Sequence, residues 1–161
     1  MKNKSKIISW SLLIIWMAFI YFMSNQPATV SDNQSESVML LLSKIGIDMS
    51  GIFGQLANFI VRKSAHFLEY MILALLAFNV LIMYFDVKKV IIIGILFVFI
   101  YACSDEIHQL FVPGREGAIR DVIIDTCGGA TLLLIKMFIT HYDNKTKYKK
   151  RIQKNLKDAS D

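Results

Sequence analysis

Four apolar runs separated by short polar segments organise this chain. The first, Ile7–Met23, follows Lys2, Lys4 and Lys6 and holds 17 uncharged residues, among them Trp10, Trp16, Phe19, Tyr21 and Phe22. A secretory signal shares that layout, but its apolar core is usually about 7–15 residues and ends in small residues at a cleavage site. Ser24-Asn25-Gln26-Pro27 follows here, so the run reads as a retained helix. The second run, Phe67–Phe85, is broken only by Glu69 and Asn79, the latter a candidate for a helix–helix hydrogen bond. The fourth, Val122–Ile139, has Asp125 near its start and Lys136 near its end, where a lysine can snorkel.

The third run is the informative one. Val90–Cys103 has 14 residues, which reach about 21 Å along a helix against a hydrocarbon core of about 30 Å. For the run to span, its helix must continue through Ser104 to Leu110, carrying Asp105 and His108 into the outer half of the bilayer. The expectation is an all-α, polytopic membrane protein. Its bundle has four transmembrane helices at about 7–23, 58–85, 90–110 and 120–140, a transmembrane domain over 1–143 and a basic cytoplasmic tail over 144–161.

The long first loop adds a further element. Val38, Leu41, Leu42 and Ile45 recur at helical spacing, with Ser31 and Asp32 as candidate N-caps. This predicts a short extracytoplasmic amphipathic helix, either a lid over the bundle mouth or a surface helix filling space.

Charge placement orients the bundle. Of 18 Lys and Arg, 13 fall in the N-terminal segment, the Asp86–Lys89 turn and the region from Lys136 onward. Only Lys44, Arg62, Lys63, Arg115 and Arg120 lie on the other side. The positive-inside bias therefore predicts both termini in the cytoplasm. The apolar fraction of 55% excludes a disordered chain. The net charge of +5 sits mainly in a juxtamembrane tail suited to an anionic leaflet, and no nucleic-acid-binding motif accompanies it. Cys103 and Cys127 set no disulfide framework and read as two small buried thiols.

Within this apolar chain the ionisable residues are concentrated. Arg62, His66, Glu69 and Tyr70 share one helical stripe; Asp105, His108 and Gln109 form a second; Asp121, Asp125, Gly128 and Gly129 form a third. Stripes that cannot face lipid cheaply face one another, which predicts an outward-opening pocket between them. Three chemistries compete for it. His66 beside Glu69, or His108 beside Asp105, makes a proton-transfer pair. The same four residues, with Asp121, offer nitrogen and oxygen ligands suited to a divalent metal such as zinc or manganese. Arg62, Arg115 and Arg120 can clamp a phosphate or carboxylate, with the Pro113-Gly114 turn presenting Arg115. Any single pair, such as Glu69 with Arg62, reads as well as a bridge that only holds helices together.

Tyr21-Phe22-Met23-Ser24-Asn25-Gln26-Pro27, Arg62-Lys63-Ser64-Ala65-His66-Phe67-Leu68-Glu69-Tyr70, and Ser104-Asp105-Glu106-Ile107-His108-Gln109 with Phe111-Val112-Pro113-Gly114-Arg115 and Asp121 are the motifs of this chain. In their order they resemble the VanZ-like membrane proteins, over most of the chain. Two positions depart from that pattern: Asp125 stands where an Asn is expected, and Leu132 where a second small residue would follow Gly128. The founding member of that family is associated with low-level resistance to teicoplanin, a lipid-tailed glycopeptide. The resemblance therefore implies a multi-pass protein of the bacterial plasma membrane, acting at the cell envelope.

Together these readings give an extracytoplasmic site acting on an envelope lipid or lipid-linked cell-wall precursor, with lowered susceptibility to teicoplanin-type glycopeptides as the outcome. His66, Glu69, Asp105, His108 and Asp121 are the candidate catalytic residues. Arg62, Ser104, Glu106, Gln109, Arg115 and Arg120 are the candidates for substrate binding. The alternatives are a protein that binds lipid or a lipoglycopeptide without turnover, and a small oligomeric transporter.

Overall fold

The structure, a computed structural model, describes the backbone of residues 2–158 and the side chains of residues 4–143, 145 and 146. Among the described residues it is all helical: α1 (Lys2–Ser24), α2 (Ala28–Lys44), α3 (Met49–Phe53), a 3-10 turn (Gly54–Leu56), α4 (Ala57–Leu81), α5 (Val87–Gln109) and α6 (Ile119–Asp158). Among the described residues, four segments are long and apolar enough to cross a membrane: Lys4–Ser24, Met49–Leu81, Val87–Gln109 and Ile119–Asp143. The third helix runs on to Gln109, as its length requires. The basic tail continues α6 as far as Asp158; residues 159–161 and the side chains from 147 onward lie outside the described residues.

The helix ends follow local chemistry. Asp86 caps α5, its Oδ1 accepting from the Lys89 amide at 3.2 Å. Pro27 starts α2, which therefore begins at Ala28 and not at the expected Ser31 or Asp32 cap. Pro27 is the N-cap, its ψ of 153° still outside the helix, and its carbonyl accepts from the Val30 and Ser31 amides at 3.0 and 3.2 Å.

Helix α6 packs against both α4 and α5, and α1 closes the other flank of α4. The core between them contains Ile20, Leu73, Ala74, Ala77, Val90, Val98, Ala102 and Leu133. Without a hydrophobic drive between helices in lipid, close backbone approach supplies the packing energy. Two glycines permit it here. A Cβ on Gly128 would stand inside contact distance of the Phe67 carbonyl oxygen, and one on Gly129 would lie 2.7 Å from Val98 Cγ1. Leu132 packs against the same core from its edge.

Helix α2 meets the bundle through its N-terminal half. Ser31 and Ser35 are buried, while Val38, Leu41 and Ile45 are exposed. Ser31, Ser35 and Val38 share one face and line the bundle mouth together, and the exposed apolar residues toward the end of the helix are left for lipid. Two further expectations, for the cysteines and Asn79, are corrected. Cys127 is exposed and Cys103 intermediate, so neither is a buried thiol. Asn79 is exposed and makes no side-chain hydrogen bond among the described residues. Lys136 lies over the Phe78 ring, 5.6 Å from its centroid.

The two polar clusters share one end of the bundle. The α5–α6 loop meets the start of α2 through the Ala28 amide, which donates to the Pro113 carbonyl at 3.3 Å. At the opposite end Trp10 Nε1 donates to Tyr84 Oη at 3.2 Å, and Val87 and Lys88 border one groove with Met137 and His141.

Candidate functional site

The centre of the polar end is built by one residue from each of three helices. His66 of α4, Asp105 of α5 and Asp125 of α6 each present a nitrogen or oxygen atom, and these three atoms lie within 4.8 Å of one another. The reason is local. Gly128, one turn beyond Asp125, lets α6 touch the α4 backbone at Phe67, the residue after His66. Asp125 is wholly buried, and Asp105 and His66 nearly so.

The partners of the three differ. Asp105 Oδ2 accepts from Ser24 Oγ at 2.9 Å and from Gln109 Nε2 at 3.2 Å. His66 Nδ1 faces Asp125 Oδ1 at 3.8 Å, too long for a hydrogen bond. Neither Asp125 oxygen, nor His66 Nδ1, nor the Tyr70 hydroxyl beside them has a hydrogen-bond partner among the described residues.

Other expected site residues are placed differently. His108 turns away from Asp105: its Nε2 lies 3.1 Å from Asn25 Oδ1 and its ring lies against Tyr21. Asp121 forms a nearly buried ion pair with Lys63 and a second contact, at 3.5 Å, with Arg120 Nε. Arg120 in turn lies over the Phe59 ring. Ser104 is exposed and donates to the Tyr101 carbonyl within its own helix. Glu106 is buried and accepts from the Ala118 amide at 2.9 Å, bracing the start of α6. Arg62 pairs with Asp32 of α2 at 3.1 Å and not with Glu69.

Above the centre lies a cleft of about 410 Å³ between the end of α1, the serine face of α2 and the first turns of α4. Arg62, His66, Glu69 and Arg115 line it, opposite Ser31, Gln34 and Ser35. A second cleft of about 170 Å³ adjoins it, lined by Arg62, Lys63, Arg115, Arg120, Glu116 and Asp121. Arg62 and Arg115 border both spaces. Arg115 Nε donates to the Gln26 carbonyl at 3.2 Å. Burial, and after it the neighbouring Arg62, pulls the Arg115 guanidinium below its usual range, though an arginine stays cationic there. Two cations held this close favour an anion between them.

Two residues of the centre carry little signal of their role in the sequence. Asp125 lies on the third polar stripe and departs from a family pattern, but nothing in its spacing distinguishes it from Asp121. Ser24, at the end of the first apolar run, carries no ionisable signal. Its position in the Tyr21–Pro27 motif is the available clue.

A family model described as VanZ/LLP1 matches residues 9–140, a span that contains every residue of both clefts. No curated protein and no solved structure matches the chain.

Proposed function

The chain belongs to the VanZ/LLP1 family, and on that footing we propose that this membrane protein takes the anionic head group of an envelope lipid or lipid-linked cell-wall precursor into the 410 Å³ cleft and performs proton-transfer chemistry on it. The bacterial plasma membrane is its location in this reading, with the cleft on the extracytoplasmic side. The observation that carries the proposal is that two arginines, a histidine and a glutamate border one open space.

Each group has a role that its surroundings support. Arg62 and Arg115 hold a phosphate, since both border the outer and inner clefts. Arg120 and Lys63, steadied by Asp121, add positive charge at the outer cleft and draw the head group in. His66 and Glu69 then exchange a proton with the bound group or with water. The Met23, Val38, Val61 and Ala65 side chains along the same cleft give apolar surface for the lipid portion. Capture or alteration of such a lipid on the outer surface would lower susceptibility to a teicoplanin-type glycopeptide, which acts on that side.

The test uses the full chain expressed in a susceptible bacterium, with lipids co-purifying in detergent identified by mass spectrometry. Wild type should retain a phosphate-bearing lipid that Arg115→Ala loses. Glu69→Gln should retain it while abolishing any drop in glycopeptide susceptibility. A Glu69→Gln variant that protects as well as wild type would leave binding without turnover as the function. Identical lipid content in wild type and Arg115→Ala would overturn the head-group assignment.

A further inference from the structure

We propose that His66, Asp105 and Asp125 hold a divalent cation of the zinc or manganese class at the inner end of the cleft. This gives the head-group site a metal, and so rests on the reading above for its use, though not for its existence.

Spacing is the first argument. Bonds from zinc to imidazole nitrogen or carboxylate oxygen are about 2.0–2.2 Å, which sets two ligand atoms at a tetrahedral angle about 3.4 Å apart. The 3.8 Å between His66 Nδ1 and Asp125 Oδ1 is too long for a hydrogen bond and close to that separation. Asp105 completes a set whose ligand atoms all fall within 4.8 Å. Closing on one ion takes a contraction of about 0.4 Å between His66 and Asp125 and of at most about 1.4 Å for the widest pair of the set, which side-chain torsions supply.

Unmet bonding is the second. Asp125 is 0% exposed, and both of its oxygens, with His66 Nδ1, lack partners among the described residues. Asp105 is already oriented by Ser24 and Gln109, and both of those bonds fall on Oδ2. Oriented carboxylates whose other atoms are free are what supporting hydrogen bonds produce around a metal ligand.

Charge is the third. Counting only the three residues in both cases, two buried carboxylates and a protonated His66 would leave one negative charge uncompensated. Two carboxylates, a neutral imidazole and a divalent cation sum to zero. One nitrogen and two oxygens leave at least one coordination position open toward the cleft, the arrangement of a catalytic rather than a structural site. Imidazole with carboxylates suits zinc or manganese, whereas calcium and magnesium favour all-oxygen sets.

The experiment measures metal by mass spectrometry in full-length protein purified in detergent without chelator. Stripped protein is then titrated with zinc and manganese chloride while its unfolding temperature is followed. Wild type should carry roughly one equivalent of one metal and regain thermal stability when it is restored. Asp125→Asn and His66→Gln should lose both responses, while His108→Ala and Arg115→Ala keep them. Less than about a tenth of an equivalent in wild type with no thermal response, or unchanged binding in Asp125→Asn, overturns the cation site. Because lipid content is read on the same preparations, metal-free protein that still holds lipid removes this inference alone. Metal-loaded wild type without lipid removes only the head-group reading.

Discussion

Ser24 at the end of α1 donates a 2.9 Å hydrogen bond to Asp105 Oδ2 on α5, tying together residues 81 positions apart in the chain. Both residues are buried, so no solvent replaces the bond if it is removed. Ser24→Ala should therefore destabilise the protein by about 1–3 kcal/mol, the cost of a buried acceptor that loses one of its partners. Gln109 still donates to the same oxygen, which favours the lower half of that range. Unfolding in detergent indistinguishable from wild type would show that Ser24 does not support Asp105.

The glycines on α6 should differ in tolerance. In Gly128→Ala the new methyl meets the rigid Phe67 backbone carbonyl, whereas in Gly129→Ala it meets the Val98 side chain, which can rotate. Overpacking costs about 1–3 kcal/mol and more when backbone must move. Gly128→Ala should thus lose more folded protein than Gly129→Ala, as read by size-exclusion recovery. It should also pull Asp125 away from His66, reducing function even where folding survives.

Lys63 and Asp121 should behave as a coupled pair. Both are largely withdrawn from solvent, and removing one partner of a buried pair typically costs about 3–5 kcal/mol. Arg120 still touches Asp121, so Lys63→Met should cost about half of that. The double variant Lys63→Met/Asp121→Asn should recover part of the loss. A thermal-unfolding double-mutant cycle measures the coupling, and strict additivity would show that the two side chains do not interact.

The orientation proposed from the charge bias can be read by labelling. In a background without Cys103 and Cys127, a cysteine replacing the exposed Glu116 should react with an impermeant maleimide on intact cells. One replacing the exposed Lys88, in the turn before α5, should react only after lysis. The reverse pattern would put the cleft in the cytoplasm and end the proposal of an outward-facing site.

By itself the sequence determined the helices, because each span is a local matter of length and apolarity. Val90–Cys103 was too short to cross, so the helix had to continue through Asp105, and it does. The stripes His66–Tyr70 and Asp105–Gln109 were likewise legible, since residues three and four apart share a helix face. What periodicity could not decide was which atom on one face meets which on another. That depends on helix rotation and separation, set here where Gly128 meets Phe67 and Gly129 meets Val98. This packing brings Asp125 to His66, leaves Asp121 to Lys63, and keeps His108 with Asn25. The burial of α2 was undetermined for a related reason. By spacing its serines share a face with Val38 and Leu42, and only the bundle mouth beside Ser31 and Ser35 fixes which part of that face is buried.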